Sequence, residues 1–261
     1  MGSIKYKRVL LTGAAGKLGQ ILRARLAAKV EHLRCTDITE MTAPQGNEEL
    51  VVADLADPAV AAPLVKDIDA IVHFGGLSGE ARFADINRIN IVATQQLYEA
   101  ARLAGVQRIV FASSNHAVGF YDQCDVIDAN SPTRPDSFYG LSKVFTENLA
   151  QLYWDRFGLE TVSLRIGSCE EHPTEQRHLL TWLSYPDLWQ LVERSLTVPR
   201  TRHAIVFAAS NNAGGFWDNR CAAFLGYRPQ DSAEEFDRDS LNLDPDKNSP
   251  ANHFQGGNFT R

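Results

Sequence analysis

Short apolar runs alternate with longer amphipathic stretches through the first two thirds of the chain. The run at residues 8–12 ends in turn residues, which is typical of a buried parallel strand. The same pattern predicts further strands at residues 32–36, 50–53, 70–74, 108–113 and 161–166. Apolar residues spaced by three and four positions predict the intervening helices, at residues 17–28, from an Asp57-Pro58 cap onward, 89–103 and 137–157.

This regular alternation predicts an α/β protein with a doubly wound parallel sheet, the Rossmann fold. After Gly167 the alternation weakens, with a helix expected at residues 178–196, a strand at 203–208, a helix at 216–224 and loop from Asp244 onward. No repeat or linker divides the chain. We therefore expect a single Rossmann-type domain over residues 1–261, in which residues 168–261 form a small C-terminal substrate-binding extension.

Composition and charge narrow the class of partner. The net charge of -6 argues against binding to nucleic acid or to an anionic membrane. No run approaches the roughly 20 apolar residues of a membrane span, and residues 1–6 lack the apolar core of a signal peptide. The four cysteines show no CxxC spacing, so we expect free thiols, no metal site and a cytoplasmic protein.

A glycine-rich turn follows the first predicted strand, with Gly13, Gly16 and Gly19 in a GxxGxxG spacing around Lys17 and Leu18. Glycines there allow a tight turn and a close approach of the backbone to a pyrophosphate. The helix that begins near Gly16 directs free N–H groups and its positive dipole end to the same place. An ordinary strand-to-helix turn can contain the same glycines, but this position near the N-terminus favours a nucleotide site.

Asp37 ends the second predicted strand. Its carboxylate can accept hydrogen bonds from both adenosine ribose hydroxyls and would repel a 2′-phosphate, which favours NAD over NADP. Lys17 and Arg34 could attract that phosphate, and a solvated strand-end aspartate is the simpler alternative. Asp54 and Leu55 are placed to meet the adenine, although a turn aspartate is also common for structural reasons. The expected cofactor site also includes strand-end residues, namely Ile38, Gly75 and Ile166.

Tyr139 and Lys143 lie four positions apart on the predicted helix 137–157, so their side chains share one face. A free tyrosine, with a pKa of about 10, is a poor base at neutral pH. A neighbouring ammonium and a cationic nicotinamide would both favour the phenolate and would make Tyr139 a general base. Tyrosine and lysine at this spacing also occur on helix surfaces, so their position after the fifth strand is what favours catalysis.

Ser113 and Ser114 end the fifth predicted strand, at the edge of the sheet where ligands bind in this architecture. The hydroxyl of Ser114 can hold the reacting oxygen, and we expect Ser113 to face the cofactor. His116 is either a substrate ligand or a loop histidine bonded to backbone. No GxSxG motif surrounds either serine, which argues against a Ser/His hydrolase.

Together, TGAAGKLG at residues 12–19, Asp37, the serine pair and YGLSK at residues 139–143 resemble the extended branch of the short-chain dehydrogenase/reductase family. The resemblance covers residues 7 to about 240 and implies oxidoreduction with NAD as cofactor. At a finer level the chain resembles the family of bacterial uronate dehydrogenases. That resemblance lies in FASSNH at residues 111–116, RIGSC at 165–169, WDN at 217–219 and FQGG at 254–257.

The second resemblance implies oxidation of galacturonate or glucuronate at C1 to the aldarolactone, in a homo-oligomer paired through the two long helices. It implies a catalytic set of Tyr139, Lys143 and Ser114. The substrate-binding positions that carry over are Ser78, Ser114, Asn115, His116, Tyr139, Ser168 and Arg177. From its residue type alone, Arg177 is either a bidentate clamp for the sugar carboxylate or a surface arginine paired with Glu171 or Glu175.

Two other functions fit the same fold. A nucleotide-sugar epimerase or dehydratase usually needs a larger substrate domain than residues 168–261 provide. A non-catalytic NAD-sensing protein would have no use for Ser114, Tyr139 and Lys143 as a proton-transfer set. Both alternatives are therefore less favoured than a dehydrogenase of a small sugar acid.

Overall fold

The computed structural model describes residues 4–236, 241 and 249–260. In chain order its strands are β1 (Arg8–Thr12), β2 (His32–Asp37), β3 (Glu48–Val52), β4 (Ala70–His73), β5 (Arg108–Ser114), β6 (Ile127–Asp128), β7 (Glu160–Ile166), β8 (Ser168–Cys169), β9 (Trp182–Leu183), β10 (His203–Ala208) and β11 (Trp217–Asp218). Its α-helices are α1 (Lys17–Ala27), α2 (Ala61–Leu64), α3 (Phe83–Ile86), α4 (Ala93–Ala104), α5 (Phe138–Phe157), α6 (His178–Thr181) and α7 (Tyr185–Thr197).

Seven parallel strands form the central sheet in the order β10-β7-β5-β4-β1-β2-β3. The chain order reverses between β1 and β4, which makes a crevice at the carboxyl ends of these strands. In register, Thr12 at the end of β1 lies opposite both Thr36 and His73. The predicted doubly wound parallel sheet is confirmed.

Successive strand residues point to opposite sides of the sheet, so apolar strands make both faces apolar. Helices cover both of these faces. Val9 and Leu11 of β1 belong to one apolar core, with Leu22 of α1 and Leu188 of α7. Leu10 belongs to the other core, which includes residues of α4 and α5. The parallel strands are therefore buried on both sides, as their continuous apolar runs predict.

Two helix starts differ from the prediction. The expected Asp57-Pro58 cap is wrong, because Asp57 accepts a hydrogen bond from the Ala59 N–H within a turn and α2 begins only at Ala61. The helix expected at 89–103 begins earlier, at Phe83 in α3, and continues through the π-helical segment Asn87–Val92 into α4. The missed residues, 83–88, include Asp85, Asn87 and Arg88, which weaken the apolar periodicity at the start of the helix.

The second half differs more. The helix expected at 178–196 is broken into α6, β9 and α7, because Ser184 accepts a hydrogen bond from the Asp187 N–H and caps a new helix with proline in its first turn. The helix expected at 216–224 is wrong, since β11 pairs with β6 and a 3-10 helix follows at Arg220–Leu225.

The end of the chain was expected to be loop. Residues 244–248 of that loop, and residues 1–3 of the N-terminal segment, lie outside the described residues. The segment 249–260 contains two 3-10 turns and is anchored by the fully buried Gln255, which donates to the carbonyls of Asp122 and Asp125 and accepts from Trp217 Nε1. It therefore packs on its own chain.

A buried ion pair joins α5 to the sheet. Arg165 of β7 donates through Nε and Nη2 to the two carboxylate oxygens of Glu147 on α5, at 3.0 and 2.8 Å, and both side chains are buried. Removing one partner of such a pair commonly costs about 3–5 kcal/mol, because the other charge is left buried and unpaired.

All four cysteines are free thiols, with Cys35 and Cys169 buried and Cys124 and Cys221 exposed. Within the described part of the chain, no cluster of histidine, cysteine or acidic side chains could hold a metal ion, and no helix is long and apolar enough to cross a membrane.

Candidate active site

A cavity of about 780 Å³ opens at the carboxyl ends of the central strands. All the residues expected to bind a cofactor or a substrate line it, although they come from distant parts of the sequence. They are Gly13, Gly16, Lys17, Leu18, Gly19, Asp37, Ile38, Asp54, Leu55, Gly75, Ser78, Ser113, Ser114, Asn115, His116, Tyr139, Lys143, Ile166, Ser168 and Arg177.

The glycine-rich turn has no room for side chains at two of its three glycines. Gly13 has a φ of +72°, and a Cβ there would lie 2.6 Å from the carbonyl carbon of Phe74. A Cβ on Gly19 would lie 1.9 Å from the carbonyl oxygen of Gly13. The turn therefore brings bare backbone and the first turn of α1 to the cavity, which suits a pyrophosphate.

Asp37 shapes this end of the cavity. Its carboxylate accepts from the Ala15 N–H at 3.0 Å and from the Thr39 N–H at 3.1 Å. A carboxylate offers about four acceptor positions, so about two remain for ribose hydroxyls. The two cations that could attract a 2′-phosphate are engaged elsewhere, because Arg34 pairs with Glu49 at 2.9 Å and Lys17 pairs with Glu170.

Asp54 lies at the adenine end of the predicted site. It accepts from the Ala56 N–H at 2.9 Å and pairs with Arg88 at 3.0 Å. The pKa of Asp54 is lowered, mainly by the hydrogen bond from Ala56 and further by Arg88. Asp54 thus stabilises its own turn, the structural role of a turn aspartate, and it also lines the cavity.

Tyr139 and Lys143 are both buried on α5. Lys143 Nζ lies 5.2 Å from the centre of the Tyr139 ring and donates to the Ala112 carbonyl at 2.8 Å. Burial raises the pKa of Tyr139 to about 12, although the nearby Ser114 hydroxyl acts in the opposite direction. Burial lowers the pKa of Lys143 to about 8.

The ammonium of Lys143 lies over the Tyr139 ring, and its hydrogen bond goes to a carbonyl. In the chain alone, the loss of water around the phenol outweighs the effect of this charge on the pKa of Tyr139. A second positive charge beside the phenol would stabilise the phenolate further.

The start of α5 fixes the position of Tyr139. Ser137 accepts from the Gly140 N–H at 2.9 Å, and Glu80 accepts from the N–H groups of Phe138 and Tyr139 at 3.2 and 2.8 Å. A carboxylate at a helix N-terminus also interacts favourably with the helix dipole. Tyr139 is thus held by side chains from its own cap and from the loop after β4.

The two serines at the end of β5 differ in their contacts. Ser114 accepts from the His116 N–H at 3.2 Å, and its hydroxyl is near enough to Tyr139 to lower the pKa of the phenol. Ser113 lines the cavity, but its hydroxyl donates to Glu147 at 2.7 Å. The expectation that Ser113 faces the cofactor is therefore wrong for its hydroxyl. That hydroxyl points to Glu147 and donates to the same carboxylate oxygen as Arg165 Nε.

Arg177 forms no ion pair with Glu171 or Glu175, whose carboxylates lie 3.9 Å from the ring nitrogens of His172 and His178, respectively. It donates to Ser168 Oγ at 2.8 Å and to the Gln255 carbonyl at 3.0 Å. With its side-chain amide reoriented, Asn115 accepts from Arg177 Nη2 at 3.1 Å. Burial lowers the pKa of Arg177. Within the described residues, this cation thus faces the cavity without a carboxylate partner.

His116 is also held firmly. Its Nδ1 lies 2.7 Å from the Asp136 carboxylate, and its ring stacks on Phe259 with centroids 3.8 Å apart. The ring also meets Tyr139 edge-on, at 5.8 Å between centroids. The imidazole of His116 therefore binds a carboxylate, and not a backbone group as the alternative proposed.

Several residues of the site escaped the sequence analysis. Asn90 in the π-helical segment holds the loop after β4 by bonding both the N–H and the carbonyl of Leu77. His73 hydrogen-bonds to Thr12 at 2.7 Å and lines the cavity. The C-terminal segment adds Phe259. Only the FQGG stretch was a signal for that segment, because a Pro- and Asn-rich tail otherwise predicts loop.

Comparison with known proteins assigns the family. The model of the NAD dependent epimerase/dehydratase family matches residues 9–183. This chain belongs to that family. The match spans the glycine-rich turn, the serines at the end of β5 and the Tyr139–Lys143 pair. The residues that line the cavity therefore lie largely within the part of the chain that matches this NAD dependent family.

Close relatives of this family member are dehydrogenases. The uronate dehydrogenase of Pseudomonas putida is 51% identical over 99% of this chain and 97% of that protein. The crystal structure of uronate dehydrogenase from Agrobacterium tumefaciens is 46% identical, covers 97% of this chain and 96% of that one, and superposes with a TM-score of 0.94. A point mutant of the Agrobacterium enzyme complexed with NAD superposes with the same score, at 45% identity and 97% coverage of both chains.

We predict that His73 makes this family member sensitive to acid. Burial, with the nearby Lys143 charge, lowers the pKa of His73 to about 3. Because an unfolded histidine has a pKa near 6.5, the folded state loses stability as the pH falls from about 6.5 towards 3. His73→Gln should reduce the slope of unfolding free energy against pH by up to about 1.4 kcal/mol per pH unit. Urea unfolding between pH 7 and 4 measures this slope.

The exposed His172 provides the matched control, and His172→Gln should leave the slope unchanged. Carboxylates titrate equally in all three proteins, so only the difference between slopes counts. Equal slopes for His73→Gln and the parent chain would contradict the prediction.

Proposed function

We propose that this chain is an NAD-dependent uronate dehydrogenase that oxidises galacturonate or glucuronate at C1 to the aldarolactone. One observation carries the proposal. Among the described residues, Arg177 has no carboxylate partner, and the same cavity also holds the hydroxyl groups of Ser114 and Tyr139. An arginine binds a carboxylate through two parallel hydrogen bonds, so the enclosure fits a sugar that has an acid group at one end and a reacting hydroxyl at the other.

The cofactor end of the cavity fits NAD. Bare backbone at Gly13 and Gly19 allows the pyrophosphate to approach the start of α1, and Asp37 keeps acceptor positions for ribose hydroxyls. Bound there, NAD supplies the acceptor for the hydride that leaves C1.

The protein's part in the reaction is to position groups and to move one proton. Arg177, with Ser168 and Asn115, binds the sugar carboxylate and so sets the distance of C1 from Tyr139. Ser114 and Tyr139 hold the C1 hydroxyl, and Tyr139 accepts its proton as general base. Lys143, with a pKa of about 8, is mainly protonated at neutral pH and keeps a positive charge beside the phenolate. Holding the reacting atoms in this way supplies much of the rate.

We further propose that the chain works in the cytoplasm as a homo-oligomer. Two observations support this. Leu103 on α4 and Leu141, Phe145 and Leu152 on α5 are exposed apolar side chains on the helices that we expect to pair. The four free thiols suit a reducing compartment.

We predict that the purified chain reduces NAD with free galacturonate or glucuronate, and that Tyr139→Phe abolishes this turnover. Loss of a general base typically costs about 10²- to 10⁴-fold. The measurement is NADH absorbance across a panel of free uronates, neutral hexoses and nucleotide-sugars. Tyr121→Phe, which removes the phenol of a tyrosine that does not line the cavity, is the control and should keep full activity.

Two results of this panel would count against the proposal. Equal rates with galactose and galacturonate would remove the role of the acid group. Conversion of a nucleotide-sugar without net NADH would favour an epimerase instead.

We predict that Arg177→Lys reduces kcat/KM for uronates by about 10- to 100-fold while changing the rate with neutral sugars little. A lysine keeps the charge but cannot form two parallel hydrogen bonds to a carboxylate. Steady-state kinetics with galacturonate and galactose measure the ratio. An unchanged ratio would show that the acid group binds elsewhere.

We predict that Asp37→Ala narrows the preference for NAD over NADP, mainly by improving kcat/KM for NADP. The Asp37 carboxylate repels a 2′-phosphate, so its removal should let NADP bind better. The variant also loses the hydrogen bonds from the Ala15 and Thr39 N–H groups. Asp54→Ala is a comparison variant, because that carboxylate is bonded to Ala56 and Arg88 and should not select against the phosphate. A preference that stays the same in Asp37→Ala would rule out Asp37 as the selecting residue.

A further inference from the structure

A carboxylate lies immediately outside the cavity, on the loop that leads into α5. The side chain of Asp136 is 0% exposed, and Asp136 does not line the cavity. Its Oδ2 lies 2.7 Å from His116 Nδ1, and its Oδ1 accepts from Ser137 Oγ at 2.8 Å. None of the sequence patterns discussed above pointed to this residue.

Three glycines from different parts of the chain make room for this carboxylate. A Cβ would lie 1.8 Å from Asp136 Oδ2 at Gly119 and 2.0 Å from the same atom at Gly256. At Gly140 it would lie 3.2 Å from Asp136 Oδ1. The loop after β5, the C-terminal segment and the first turn of α5 therefore enclose a space that fits this one group.

The enclosed carboxylate decides which nitrogen of His116 carries a proton. An ionised carboxylate only accepts hydrogen bonds, so Nδ1 is the protonated nitrogen. The stacked Phe259 ring and the edge of Tyr139 limit rotation of the imidazole. Among the residues that the structure describes, Nε2 has no hydrogen-bond partner, and His116 lines the cavity. In the neutral ring, Nε2 is therefore an acceptor available to a ligand.

We propose that Asp136 is a positioning residue that holds His116 with Nε2 ready to accept a hydrogen bond from a sugar hydroxyl. The proposal rests on the proposed function and deepens it. Arg177 can only donate, so it selects the carboxylate of the substrate. Nε2 of neutral His116 can only accept, so it selects a hydroxyl. The two groups together would allow one orientation of the sugar acid and exclude the reversed one.

The first test needs no substrate. Asp136→Asn replaces the acceptor by an amide that can also donate to Nδ1. In protein with ¹⁵N-labelled histidine, the His116 signals should shift from the Nδ1–H tautomer towards the Nε2–H tautomer, with His116→Ala identifying them. NAD binding, followed by intrinsic fluorescence, should stay within about twofold of the parent chain. Unchanged His116 signals would overturn the proposal, whatever the substrate is.

The second test uses a double-mutant cycle with galacturonate. Asp136→Asn and His116→Ala should each lower kcat/KM by roughly 10- to 100-fold, as for loss of a buried hydrogen bond. The double variant should be no worse than His116→Ala alone, because Asp136 acts through His116. Equal losses from Asp136→Asn in both backgrounds would mean a merely structural role and would overturn the proposal.

A control accounts for any general effect of changing a buried aspartate. Asp187 is also buried and accepts from Ser210, Gln230 and Asp231, but it does not line the cavity. Asp187→Asn should leave kcat/KM and the His116 signals unchanged. If the parent chain oxidises no uronate, the proposed function fails, while the tautomer measurement still decides the role of Asp136.

Discussion

The buried ion pair between Arg165 and Glu147 is the interaction on which the candidate site depends. It ties α5 to β7 in two hydrogen bonds, and through Ser113 it also reaches the end of β5. Tyr139 and Lys143 lie on the same helix, about two turns and one turn before Glu147, respectively. Because neither charge can be left alone in the interior without a large cost, the helix has one position on the sheet. The position of the phenol relative to Ser114 follows from it.

The site also requires glycine at several positions where the chain packs too closely for any side chain. Gly13 and Gly19 let the β1–α1 turn close on itself, and Gly140 lets α5 approach the His116 carbonyl, where a Cβ would lie 2.2 Å from its oxygen. Gly256 does the same for the Asp136 carboxylate. Backbone at Gly13, Gly19 and Gly140, and the Asp136 carboxylate at Gly256, take the place that a methyl group would need. The cofactor end and the substrate end of the cavity are therefore shaped by the same device.

The central sheet and the residues of the cavity could be predicted because they depend on local patterns. Apolar runs identify the parallel strands, and strand ends of a parallel sheet meet at one edge, so residues as distant as Asp37 and Ser114 were expected together. What could not be predicted depends on non-local contacts. The break before α7 needs the Ser184 cap, and the ordered C-terminal segment needs Gln255 to find carbonyls of a loop far away in sequence. The raised pKa of Tyr139 needs its burial, which spacing does not reveal.

The C-terminal segment explains how a short extension can serve a small substrate. Gln255 bonds to Arg177 through its carbonyl, Phe259 stacks on His116, and Gly256 closes the space around Asp136. One segment thus supports both Arg177, which we propose to bind the acid group, and His116, which we propose to bind a hydroxyl. Here the segment 249–260 lies against this side of the cavity, beside Arg177 and His116. Its position favours the proposed free sugar acid over a nucleotide-sugar, whose nucleotide would need additional space.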